Sequence, residues 1–255
     1  MVASPKLALA NIGVAITRPS NQARNLTQLI QAAGGNVISF PLIEIIPLED
    51  YTLFESDIAN INEYDWIIFI SSNAVQNSMP RLLKHDISNH LQFAAIGPVT
   101  AKALSKFGID NVLTPKDRFD SESLLSLPAL QDMQGKKVMI VRGIGGREVL
   151  ANTLKSRGAK ITFAECYQRI NPQTNCDVLM QACAKQQLHS IVVTSSEAMR
   201  HLLALSGDAD WLKEITLCVN HARVAELPTQ EGFKVNVSDA PGDEAMLESL
   251  KEINV

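Results

Sequence analysis

The chain has 255 residues, a length for about one or two domains, and its 46% hydrophobic and 20% charged residues exclude a disordered chain. A net charge of −4 excludes a general nucleic-acid binder, which would present a basic face, but it leaves room for an anionic ligand held by a local field. No apolar run reaches the roughly 18 residues of a membrane helix, so no membrane partner is expected, and four cysteines without a C-x-x-C pair make a reduced, cytoplasmic protein the simplest reading.

In chain order, short apolar runs predict strands at residues 14–17, 37–40, 66–70, 93–96, 138–141, 161–164, 191–194, 216–219 and 234–237. The apolar stretch 7–16 faintly resembles a secretory h-region, but it reads better as the approach to the first strand. The runs are continuous rather than alternating, as in parallel strands covered on both faces. Helical spacing fills the intervals. Leu26, Leu29, Ile30 and Ala33 make one stripe, and Val149, Leu150, Thr153 and Leu154 make its copy, with Gly34 and Gly158 as stops. The expected fold class is therefore α/β, with similar three-layer units on parallel sheets. Residues 41–47, bounded by Pro41 and Pro47, and residues 166–172 read as linkers running side by side between the domains.

The chain is written twice. Arg18, Leu26, Gly34 and Ser71-Ser72 recur as Arg142, Leu150, Gly158 and Ser195-Ser196, each 124 positions on (142 − 18, 195 − 71). The turn from Ala95 to Thr100 aligns with Cys218 to Arg223 at a spacing of 123, as though one residue were inserted. Two similar domains predict a cleft between them, and clefts are where small ligands bind.

Ligands of open α/β sheets bind beyond the carboxyl ends of strands. The residues there are Thr17 and Arg18; Ser71, Ser72 and Asn73; Gly97 and Thr100; Arg142, Gly143, Gly146 and Arg147; Thr194, Ser195 and Ser196; and Asn220 and Arg223. Polar turns entering helices present free N–H groups and a positive dipole end, which favour anions. Helix capping alone explains any single turn. Six such turns, duplicated, point to a small polyanion.

Other chemistries fare worse. Cys166, Cys176, Cys183 and Cys218 form no C-x-x-C, and the five histidines lack ligand spacing, so neither a metal nor a redox pair is expected. The loop Gly143-x-Gly145-Gly146 invites a nucleotide. However, a dinucleotide fingerprint would place a third glycine at Glu148 and an acid about 20 residues on, and Glu165 falls next to a segment read as linker. There is no G-x-S-x-G and no carboxylate dyad. Tyr167 stands where a strand leaves for the linker, either as a phenol that moves one proton or as an aromatic packed at the domain junction.

Thr17-Arg18-Pro19, Phe40-Pro41-Leu42-Ile43, the run from Asp65 to Val75, the turn from Ala95 to Ala101, Val141-Arg142-Gly143, Gly146-Arg147, Tyr167-Gln168-Arg169 and Thr194-Ser195-Ser196 appear in order. As a set they resemble the uroporphyrinogen-III synthases. The resemblance implies a cofactor-free, monomeric, cyclising lyase of tetrapyrrole synthesis. Such an enzyme closes hydroxymethylbilane to uroporphyrinogen III, inverting the last ring through a spiro intermediate. It implies two α/β domains joined by a two-stranded ladder, with residues 1–40 and 172–255 in one and 41–171 in the other. The family's cleft tyrosine falls on Tyr167 and its cleft threonine on Thr100. Where some members repeat a Gly-Pro-Thr turn, this chain reads Asn220-His221-Ala222-Arg223. Two rivals share the layout: a two-lobed binder of anions without chemistry, and a nucleotide-dependent enzyme using the Gly143 loop.

Overall fold

The structure is a computed structural model describing residues 7–146, 148–207 and 210–253. In chain order its elements are β1 (Gly13–Ile16), α1 (Ser20–Ala32), β2 (Asn36–Ser39), β3 (Glu44–Pro47), α2 (Thr52–Ile58), β4 (Trp66–Phe69), α3 (Ser72–Leu82), β5 (Gln92–Ala95), α4 (Pro98–Ser105), β6 (Val112–Leu113), α5 (Ser121–Leu125), β7 (Lys137–Gly143), α6 (Val149–Ser156), β8 (Lys160–Ile170), α7 (Asp177–Ala184), β9 (Ser190–Val193), α8 (Ser196–Ser206), α9 (Asp210–Glu214), β10 (Thr216–Val219), α10 (Ala222–Gln230), β11 (Val235–Val237) and α11 (Asp243–Glu252). Two compact units result: residues 1–44 with 170–255, and residues 45–169.

The first unit holds a five-stranded sheet in the order β11-β10-β9-β1-β2, with every pair parallel. The second holds six strands in the order β3-β8-β7-β4-β5-β6. Its pairs from β8 to β6 are parallel. This is the expected α/β class with parallel sheets. The continuous apolar runs have the predicted cause. In β4, Ile67 and Phe69 join one core with Met79 and Val141, while Trp66 and Ile68 join another, on the opposite face, with Leu150 and Leu154. Alternate side chains of a strand point to opposite faces, so a sheet covered by helices on both sides needs no polar positions. In α1 the buried stripe is Ala23, Leu26 and Ile30; in α6 it is Leu150, Ala151 and Leu154, while Val149 is exposed. Gly34 and Gly158 have φ of 88° and 93°, as their helix-stopping role requires.

The repeat keeps its register throughout the sheets. The first residues of β1 and β7, β2 and β8, β4 and β9, and β5 and β10 all lie 124 apart (137 − 13, 160 − 36, 190 − 66, 216 − 92). The spacing of 123 read at the third pair of turns is therefore incorrect. Gly97, which caps α4, matches His221, which caps α10 (221 − 97 = 124), so Thr100 matches Val224 and not Arg223. Each sheet mixes the two copies: β1 and β2 pair with the late strands β9 to β11, while β7 and β8 pair with the early strands β4 to β6.

Both segments read as linkers carry strand structure. Residues 44–47 of the first segment form β3, and residues 166–170 of the second form the far half of β8, an eleven-residue strand that neighbours β3 in the sheet; the chain passes from one unit to the other within these same two segments, after Glu44 and after Arg169. The predicted strand 161–164 is too short because Glu165, Gln168 and Arg169 break its apolar run, all three being only partly buried. The two-residue β6 has no counterpart among the predicted strands.

Candidate functional site

In each sheet the connections reverse direction between two central strands, β1 and β9 in one and β4 and β7 in the other. Ligands gather at such switch points, beyond the carboxyl ends. The residues singled out from the sequence divide between these two places, and each is taken within its own unit.

In the second unit, Ser71 follows β4 and caps α3, accepting the Ala74 N–H at 3.0 Å. Its Oγ also lies 3.3 Å from the Tyr167 hydroxyl. A bulge between Arg142 and Gly143 brings Gly143 opposite Tyr167 in the β7–β8 ladder. A Cβ on Gly143 would stand 2.5 Å from the tyrosine ring, so only glycine leaves room for the ring to lie there. The ring is packed, with Tyr167 2% exposed. Ser72 and Asn73 open α3, where the first amides have no partner within the helix. Gly97 and Pro98 open α4, a proline-first start that presets the helix, and Thr100 is buried within its first turn.

Arg142 is held within its own unit. It is 3% exposed, donates to Gly143 O at 3.2 Å, and stacks 4.7 Å from the Phe163 ring centre, with Glu165 3.8 Å away. Glu165, in β8, accepts the Gly145 N–H at 3.1 Å. That amide is one a nucleotide pyrophosphate would need, so the acid placed by the fingerprint instead occupies the glycine loop. A 640 Å³ hollow beside this loop is lined by Glu49, Asp50, Asp57 and Glu165 as well as Leu53 and Ile144. Burial and the neighbouring Glu165 charge push the Asp57 carboxyl up. The hollow has the wrong sign for a polycarboxylate. A 1240 Å³ hollow lies elsewhere, at the amino ends of β4 and β5 beside Trp66, Gln92 and Asn111, and none of the singled-out residues lines it. Arg147 lies outside the described residues.

In the first unit, Thr17 is buried and its hydroxyl donates to Val192 O at 2.9 Å, tying β1 to β9. Arg18 donates to Thr194 Oγ1 at 3.2 Å and forms an ion pair with Asp243 at the start of α11. Asn25 donates to the other oxygen of that carboxylate at 2.9 Å. Burial pushes the Asp243 carboxyl up, but the bonds from Arg18 and Asn25 and the Arg18 charge outweigh it, leaving the group below the ordinary carboxylate value. Ser195 caps α8, accepting the Ala198 N–H at 3.1 Å, and Ser196 follows as its first residue. Asn220 follows β10 with its Oδ1 buried and unbonded. Ser196, Arg223 and Arg200 line a 210 Å³ hollow between α8 and α10.

Sequence reading missed Asp243 and Arg200 as parts of these places, and met Glu165 only as an acid at the spacing of a dinucleotide fingerprint. Asp243 is visible only as the partner of Arg18, and the bond between Glu165 and the glycine loop only in the fold. Arg200 sits one helical turn past Ser196, a spacing of four that could have drawn it in.

A family model described as "Uroporphyrinogen-III synthase HemD" matches residues 24–248. The chain belongs to the uroporphyrinogen-III synthase family. A uroporphyrinogen-III synthase of Escherichia coli (strain K12) is 32% identical over 246 residues, covering 94% of this chain and 100% of the relative. One from Synechococcus elongatus is 30% identical over 208 residues, covering 78% of each. Among solved structures, a mutant uroporphyrinogen III synthase of Thermus thermophilus superposes with a TM-score of 0.68 at 17% identity, over 94% of this chain and 98% of that one. A uroporphyrinogen-III synthetase of Helicobacter pylori gives 0.59 at 17% identity, over 95% and 99%. At such identity these two establish the fold this uroporphyrinogen-III synthase family member shares with them. Among the described residues, no helix is long and apolar enough to cross a membrane.

Proposed function

We propose that this chain is a cyclising lyase that closes hydroxymethylbilane to uroporphyrinogen III with inversion of the last ring. The observation carrying this reading is end-to-end similarity at 32% identity to a protein of that name, in a family whose model spans nearly the whole chain.

The chemistry of the polar turns agrees. The substrate carries eight carboxylates, whose mutual repulsion must be answered wherever it is bound. The described arginines Arg18 and Arg142 already have internal partners, so helix-start amides at Ser72, Asn73, Val99 and Ser196 remain as the main anion donors, with Arg200 and Arg223 beside the last. The substrate also offers pyrrole N–H donors, which suit the unbonded acceptor of Asn220. Loss of the substrate hydroxyl gives an electrophilic azafulvene. Attack by the substituted carbon of the last ring gives the spiro intermediate, which fragments and recloses. The main task is geometric: to hold the chain so that this attack outruns closure at the free carbon. Tyr167 is the acid for loss of the hydroxyl, a contribution of roughly 10²–10⁴-fold.

The deciding experiment is incubation with hydroxymethylbilane and separation of isomers I and III. The type III isomer is expected; type I alone, at the uncatalysed rate, would end this reading. Tyr167→Phe should slow turnover while keeping the isomer ratio, and wild-type turnover would remove the acid role.

A further inference from the structure

Tyr167 poses a difficulty for any step in which its phenol meets substrate directly, because the residue is 2% exposed and its ring is wedged against Gly143. Ser71, by contrast, is half-buried and sits at the tip of β4. We propose that the Ser71 hydroxyl is the group that hands the proton to the departing substrate hydroxyl, with Tyr167 behind it as the proton's source. This rests on Tyr167 being the acid of the reaction.

The geometry favours one arrangement of hydrogens. A serine hydroxyl has one hydrogen and two lone pairs. One lone pair of Ser71 Oγ takes the Ala74 N–H at 3.0 Å. The second lies 3.3 Å from the Tyr167 hydroxyl. A buried phenol needs an acceptor for its hydrogen, and Ser71 Oγ is within reach. With both lone pairs engaged, the Ser71 hydrogen is the one left to point outward, and bonds in series strengthen one another. The repeat supplies a comparison. Ser195, 124 residues after Ser71, makes the same cap to Ala198, at 3.1 Å. The position equivalent to Tyr167 is Ile43 (167 − 43 = 124), an apolar core residue. The cap therefore needs no phenol beside it, and the serine–tyrosine contact belongs to one copy only.

The step balances. The carbon–oxygen bond of the hydroxymethyl group breaks with its electron pair on oxygen. The Ser71 proton completes a water molecule, and the Tyr167 proton refills Ser71, leaving a phenolate. The pyrrole nitrogen lone pair supplies electrons to the carbon, giving an azafulvenium cation opposite that phenolate. When the last pyrrole loses its ring proton after closure, the proton returns through Ser71 to Tyr167. One macrocycle and one water leave; nothing is oxidised or reduced.

The test compares Ser71→Gly, Ser71→Thr, Tyr167→Phe and the double variant Ser71→Gly/Tyr167→Phe, with kcat, KM and isomer ratio measured and melting temperature recorded alongside. Glycine is accepted at a helix start, so the fold is retained without the hydroxyl. The expected result is a kcat about 10²-fold lower in Ser71→Gly, KM little changed, recovery in Ser71→Thr, and a double variant no slower than the slower single one. Wild-type kcat in Ser71→Gly with a slow Tyr167→Phe overturns the relay and leaves Tyr167 the acid. Losses that multiply in the double variant overturn it too. Wild-type kcat in Tyr167→Phe instead overturns the reading on which the relay rests.

Discussion

The ring of Tyr167 lies over Gly143 so closely that a methyl group at that glycine would stand 2.5 Å from one ring carbon and 2.6 Å from the next. The ring occupies the space a side chain on Gly143 would fill. Gly143→Ala is expected to push the ring aside, costing about 1–3 kcal/mol for overpacking and moving the phenol away from Ser71. A urea melt gives the first effect and a drop in kcat the second. Full activity with unchanged stability would show that the ring has room the packing does not suggest.

Asp243 and Arg18 make the second prediction. The folded Asp243 carboxyl lies below its ordinary value. A depressed carboxyl stabilises the fold above its unfolded pKa, and that contribution is lost as pH falls through the folded one. Stability from this pair is therefore present at neutral pH and lost below about pH 4. Asp243→Asn should cost roughly 1.5–3 kcal/mol at pH 7, as for a hydrogen bond to a charged group, and less at pH 3. Equal losses at both pH values, in denaturant melts, would exclude an electrostatic origin.

Thr100 and Val224 are repeat equivalents, and both are buried, at 4% and 2% exposure. The first unit thus fills this position without a hydroxyl. Thr100→Val should leave the melting temperature nearly unchanged. If the hydroxyl serves the substrate, kcat/KM falls roughly tenfold, about the worth of one hydrogen bond. Unchanged kinetics would make Thr100 a packing residue.

The cysteines give a prediction free of any functional reading. Burial pushes the Cys166 and Cys218 thiols up to about 12, and raises Cys176 and Cys183 as well. The thiolate is the reactive form, so all four should resist a thiol reagent at about pH 7.5, well below the ordinary thiol range, until the protein unfolds. Cys183, the half-buried one, should yield first. Rapid labelling of Cys166 in the folded protein, read by peptide mass, would contradict this burial.

The sequence by itself determined the strands, the helices between them, the 124-residue repeat and the polar turns. Most predicted strands lie within a residue of those observed, because burial on both faces of a sheet writes itself into local runs such as 66–69 and 190–193. Tertiary structure alone decided which copy's strands share a sheet, since β1 would pair with β9 or with β4 on the same apolar pattern. It also decided what the polar residues do. Arg18 is neutralised by a carboxylate 225 positions away, and Ser71 meets a phenol 96 positions away. Hydrophobic periodicity is a property of neighbours along the chain, whereas a hydrogen bond depends on two side chains that only the folded sheet brings within about 3 Å.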